Sequence, residues 1–159
     1  MRIEHQFSIA GFEVSVSFPD GWDADTLLPS FRPFYGKKEG QEKALLKCTV
    51  CTSVENKAAM PSGELIENTL SDMGYVSLYK EAEGYCVTLS AEQGGTLHVM
   101  QADRRFSTVR VYLHEEDKRA GHALSSLLRI AYSQAVLYWD AVSIHAPAVF
   151  CENQAILFV

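Results

Sequence analysis

Cysteine, proline and basic residues are all scarce in this chain. Its 159 residues include 4 cysteines, 5 prolines, and 14 Lys and Arg against 20 Asp and Glu. So few thiols cannot form the disulfide scaffold of a secreted protein this long, and a reducing compartment fits best. The shortage of base leaves a net charge of −6 and a pI near 5.3. The cations are scattered, in no run longer than a pair such as Lys37-Lys38 or Arg104-Arg105, which lie beside turn residues. A nucleic-acid surface needs a concentrated basic patch, so that class is excluded. No apolar run approaches the ~20 residues that span a bilayer. The opening Met1-Arg2-Ile3-Glu4-His5 lacks the shape of a signal peptide. These absences predict a cytoplasmic protein with neither nucleic acid nor membrane among its partners. Internal repeats and low-complexity segments are also missing.

The standard chemical motifs are missing too. There is no GxSxG, no GxGxxG, and no glycine-rich loop followed by Lys-Ser or Lys-Thr. His5, His98, His114 and His122 are scattered, without HxxxH or HxH spacing. Cys48-Thr49-Val50-Cys51 has metal-ligand spacing but no second pair. On a strand, positions three apart point to opposite faces, so both thiols are expected to be structural and no metal is predicted. Gly94-Gly95 reads as a hairpin turn. Trp22, Phe31, Phe34 and Tyr35, interleaved with Pro29 and Pro33, read either as a plug at the end of a sheet or as a pocket lining.

What is present is apolar substance with a clear pattern. The chain is 47% hydrophobic, which can build a sizeable core. Phe7 and Ile9, then Phe12, Val14, Val16 and Phe18, alternate with polar residues around Ala10-Gly11, predicting a hairpin. A short helix is expected from Asp25, limited by Pro29. Ala44–Val54 reads as a strand between loops at 36–42 and 56–63. From Leu65 to Leu113, turn signals separate five candidate strands: Leu65–Leu70, Tyr75–Lys80, Tyr85–Ala91, Thr96–Ala102 and Phe106–Leu113. That spacing predicts an antiparallel meander, although 64–73 also admits a helix.

Near residue 114 the pattern changes. Glu115-Glu116-Asp117 places acid where a helix N-terminus favours it. From Ala120, apolar residues recur at Leu124, Leu127, Leu128, Ala131, Ala135 and Trp139, predicting a helix of about five turns that ends at Asp140. Short strands are expected at Val142–Ile144 and Ala148–Cys151. Glu152-Asn153-Gln154 is a turn. The closing run Ala155-Ile156-Leu157-Phe158-Val159 reads as a strand buried on both faces, as in parallel sheets, with further residues expected beyond it. An apolar edge of this kind predicts self-association through 155–159.

Ile144-His145-Ala146-Pro147-Ala148-Val149-Phe150, the polar turn Cys151-Glu152-Asn153-Gln154 and the run 155–159 together resemble one stretch of the HPr kinase/phosphatase and phosphoenolpyruvate carboxykinase-like proteins. In that family such a strand–turn–strand leads directly into the phosphate-binding loop. The preceding helix, Asp117–Trp139, also resembles the helix that comes before this motif. The resemblance implies that His145 sits near the transferred phosphoryl group in the parent protein. It also implies that ATP and Mg²⁺ are bound by residues beyond Val159, with no cofactor in this chain. Pro147 departs from the HPr kinase pattern and leaves the substrate unassigned.

The expected fold is therefore α+β: a mostly antiparallel sheet packed on one long helix, with the first short strands of a C-terminal nucleotide-binding sheet. Its parts are a β-rich N-terminal domain at 1–114, the helix at 115–140, and the start of a kinase-like P-loop domain at 141–159. The resemblance implies a non-catalytic piece of an ATP-dependent kinase whose partner is its own C-terminal domain. The alternative is a stand-alone binding module for a peptide or small ligand. A Cys/His hydrolase using Cys151 and His145 lacks an orienting residue and an oxyanion hole.

Overall fold

The computed structural model describes residues 2–36, 43–52, 60–144, 148–151 and 154–157. Eight strands join one sheet: β1 (Arg2–Ile9), β2 (Phe12–Pro19), β3 (Lys43–Thr52), β4 (Glu64–Ser71), β5 (Gly74–Lys80), β6 (Gly84–Ser90), β7 (Leu97–Asp103) and β8 (Thr108–Leu113). Their spatial order is β1-β2-β3-β8-β7-β6-β5-β4. The β1–β2 hairpin and the β4–β8 meander are antiparallel, as the alternation and turn spacing require. Strand β3 joins them by pairing parallel with both β2 and β8. A parallel return needs a long connection. The segment between β2 and β3 supplies it, with the short helix α1 (Ala24–Leu27) and a 3-10 turn at Pro29–Phe34. Asp23 caps α1 by accepting the Asp25 N–H at 3.0 Å.

The long helix α2 (Ala120–Ala135) is extended by a 3-10 turn at Val136–Trp139 and ends where Asp140 turns left-handed (φ 54°). Leu124, Leu127, Leu128 and Ala131 are all fully buried on its inner stripe, as the spacing predicts. They meet one face of the sheet. Along that face Val50, Val111, Met100, Val87 and Leu78 lie opposite one another across five strands. Sheet and helix thus share a single core that also takes in Val14, Val16 and Phe18 of β2. Gly121 lets α2 approach α1, since a Cβ there would stand 2.9 Å from the Leu27 carbonyl. The other face is more polar. It carries Thr49, Arg110 and Gln101 in one row, beside a small cluster of Cys51, Cys86, Val99 and Tyr112.

The segment 64–71 is a strand, as expected for Leu65–Leu70, and not the helix that the sequence also admitted. Other local expectations are corrected. Glu115-Glu116-Asp117 lies before α2 rather than in its first turn, because the Asp117 carboxylate is committed to His98 and the Arg119 N–H. Residues 141–144 form no strand: Val142 and Ile144 are exposed, with no strand beside them among the described residues. Nor does the described part of the C-terminal run enter a parallel sheet. Strand β10 (Gln154–Leu157) pairs antiparallel with β9 (Ala148–Cys151), because a connection of two residues permits only a hairpin.

Candidate functional site

Helix α2 contacts β3, β8, β7 and β6, and so leaves the end of the meander uncovered. The consequence is an open apolar groove of about 620 Å³. Its floor is the helix-side face of β4–β6, including Ile66, Val76, Leu78 and Val87. Its wall is Ile130 and Gln134 of α2 with Leu137 and Tyr138 of the 3-10 turn. Glu67 and Arg104 are the charged residues along it.

The end of the groove is built by the β7–β8 turn. The Asp103 carboxylate accepts the N–H groups of Arg105 (3.1 Å), Ser107 (2.8 Å) and Thr108 (3.2 Å) and the Ser107 hydroxyl (2.6 Å). This network holds Phe106 at φ 55°, a region that bulky residues avoid. The strained backbone turns the Phe106 ring inward, stacked on Tyr85 with centroids 5.3 Å apart. The Tyr138 hydroxyl donates to the Arg104 carbonyl at 3.1 Å, and the Arg105 guanidinium lies 5.6 Å from the Tyr138 ring centroid. The 3-10 turn is thereby fastened to the sheet at this end.

The aromatic residues singled out in the sequence do two things. Tyr35 bridges Phe7 across the outer edge of β1, with ring centroids 4.8 Å apart, and the Gly36 N–H donates to the Gln6 carbonyl at 3.2 Å. Phe31 meets Phe7 edge-on at 5.3 Å. These residues plug the β1 edge of the sheet. Phe31 and Phe34 also line a second groove of about 480 Å³ on the other flank of α2. Trp22 is partly buried against the main core.

His98 is the residue that the sequence did not mark out. It is 1% exposed on β7, facing α2. Its Nε2 lies 2.8 Å from Asp117 Oδ2, and its Nδ1 accepts the His114 N–H at 3.4 Å. That pairing defines the neutral ring carrying its proton on Nε2. Burial pushes the His98 pKa down, against the pull of the Asp117 carboxylate. Asp117 is itself held below the usual carboxylate range, first by the Arg119 N–H it accepts and further by His98. Both ring nitrogens are committed, so His98 locks the loop ahead of α2 onto the sheet and is not placed to activate a nucleophile. The only trace in the sequence is strand parity, since His98 shares a face with buried Met100 and Ala102.

Cys48 and Cys51 are not brought together. Cys48 packs in the helix-side core and Cys51 in the cluster on the opposite face. Burial raises the Cys48 thiol pKa far above its ordinary value. Among the described residues, no three His, Cys, Asp or Glu side chains are grouped to hold a metal. His5 stands edge-on to Phe18, and His122 is exposed on α2. His145 lies outside the described residues, and of Cys151 only the backbone, in β9, is described. Among the described residues no helix is long and apolar enough to cross a membrane.

No protein-family model matches this chain, and no curated protein or solved structure is similar to it.

Proposed function

We propose that the chain is the N-terminal part of a kinase-like P-loop protein of the HPr kinase and phosphoenolpyruvate carboxykinase group, with a structural or partner-recognition role. The observation that carries this reading is the order of elements at the C-terminal end. A long helix, α2, buried along its inner stripe, is followed by the antiparallel strands β9 and β10, the strand–turn–strand that the resemblance implies ahead of a phosphate loop. His145 falls at the entry to this hairpin. In the whole protein it would stand beside the transferred phosphoryl group. ATP and Mg²⁺ would be held by a loop after Val159, whose backbone N–H groups, lysine and hydroxyl supply phosphate affinity. The sheet and α2 would then serve as the rigid body on which that second domain packs.

The test is made on the product of the whole gene. Reading past Val159 should reveal a Gly-x-x-Gly-x-Gly-Lys-Ser/Thr sequence, and His145→Ala should lower phosphoryl transfer by roughly 10²–10⁴-fold while leaving the melting temperature unchanged. A frame that stops at Val159 contradicts the reading.

A second reading is favoured by the groove. At about 620 Å³ it is of the size that takes a small ligand, with an apolar lining and few charges. In a stand-alone module it would hold an apolar or amphipathic molecule. Quenching of Tyr138, which lines the groove, by such a ligand, abolished by Leu137→Glu, would support this reading over the first.

A further inference from the structure

The two edges of the eight-stranded sheet are treated differently. The outer edge of β1 is closed by the Tyr35 bridge and the Gly36 hydrogen bond. The outer edge of β4 has no partner among the described residues. Seven of the eight β4 residues, Glu64 to Leu70, are exposed, and the strand holds neither lysine nor proline, the usual guards of an open edge. Leu65 and Leu70 are 50% and 65% exposed. Both point to the polar face of the sheet, because they pair with Tyr79 and Tyr75 of β5.

We infer that β4 is the interface for a second copy of this chain, paired antiparallel about a twofold axis at Asn68. The sequence of β4 is self-complementary in that register. Asn68 faces its own copy, and two side-chain amides can exchange hydrogen bonds there. Glu67 faces Thr69, and Glu64 faces Ser71, so no acid opposes an acid. The existing bulge, which leaves Ile66 out of the pairing with β5, is what brings Leu65 opposite Leu70 on the same face. Each apolar pair occurs twice, once on each side of the axis, as an isologous contact demands. Moving the axis to Glu67 sets Glu67 against Glu67, moving it to Thr69 leaves Leu65 without Leu70 opposite it, and a one-residue slip of the strands turns the apolar faces to opposite sides. The dimer would be one continuous sheet of sixteen strands, twice the eight of each chain. Glu67, Thr69 and Ser71 of β4 line the large groove, so the two grooves would lie side by side across the axis.

The experiment is sedimentation equilibrium on the 159-residue chain and four single substitutions. The chain should dimerise. Leu70→Lys should weaken the dimer at least roughly tenfold, because the axis repeats the lost contact. Asn68→Lys and Asn68→Asp should each be monomeric alone, since each sets like charges across the axis. An equal mixture of the two should form a heterodimer. That recovery shows that both variants are folded. Ile156→Lys, in the C-terminal hairpin, should leave the dimer intact. A chain that stays monomeric overturns the inference. So does a dimer undiminished by Leu70→Lys, or a mixture of the Asn68 variants that fails to associate.

Discussion

Leu127 and Leu128 are adjacent, fully buried and chemically identical, yet they should not be worth the same. Truncating either to alanine removes hydrocarbon worth about 2.4 kcal/mol of transfer free energy, at ~0.8 kcal/mol per carbon group. The cavity left behind is the difference. Leu127 lines neither groove, so its void is closed on all sides. At ~24 cal/mol per Å³, a residual cavity of roughly 70 Å³ adds about 1.7 kcal/mol. Leu128 borders the second groove, of about 480 Å³, into which the void at that position opens, and most of the cavity penalty lapses. The expectation is a loss of about 4 kcal/mol for Leu127→Ala and about 2.5 kcal/mol for Leu128→Ala. Urea unfolding at equal m-values reads the difference directly as a shift in midpoint. A loss below about 1 kcal/mol for Leu127→Ala, or a larger loss for Leu128→Ala than for Leu127→Ala, would refute the packing of α2 on the sheet.

Three further outcomes are expected. The folded pKa of His98 lies below its ordinary 6.5, so the unfolded chain binds the extra proton. This contribution to stability is complete above about pH 6.5 and is lost as pH falls through the depressed value. Unfolding free energy should therefore fall as pH drops below about 6.5, and the fall should shrink in His98→Gln; an unchanged pH dependence in that variant contradicts the assignment. Because Cys48 and Cys51 face opposite sides of the sheet, purified protein should hold no stoichiometric zinc, and a one-to-one zinc content lost in Cys48→Ser would overturn this. Asp103→Ala removes the acceptor of four hydrogen bonds and should cost about 2–3 kcal/mol, with loss of the Tyr85–Phe106 stacking seen as an altered near-ultraviolet circular dichroism signal. A cost under about 0.5 kcal/mol would mean that the turn is held by something else.

The elements whose signal is local were legible in the sequence. The stripe Leu124, Leu127, Leu128 and Ala131 fixed both α2 and its buried face. Alternation about Ala10-Gly11 fixed the first hairpin, and strand parity separated Cys48 from Cys51. Non-local features were not legible. Nothing in the run 44–54 says that β3 lies between β2 and β8, since a strand's own residues do not name its partners. His98 and Asp117 are 19 residues apart on different kinds of element, and only the folded sheet brings them to 2.8 Å. The same pair explains the misplaced helix start: Asp117 has the composition of a helix N-terminus, but its carboxylate is taken by His98 and the Arg119 N–H. Val142 and Ile144 carry strand-like side chains, and no described strand lies beside them. The large groove is set by where α2 stops covering the sheet, a property of packing that no segment encodes alone.

The central claim is that residues 1–159 form a non-catalytic body and that nucleotide chemistry belongs to residues beyond Val159. Titration calorimetry with ATP and Mg²⁺ tests it most directly. No glycine-rich turn among the described residues follows a parallel strand and opens a helix, and the net charge of −6 repels a polyphosphate. This chain should give no measurable heat, and the product of the whole gene should bind clearly. Micromolar binding by these 159 residues would contradict the claim.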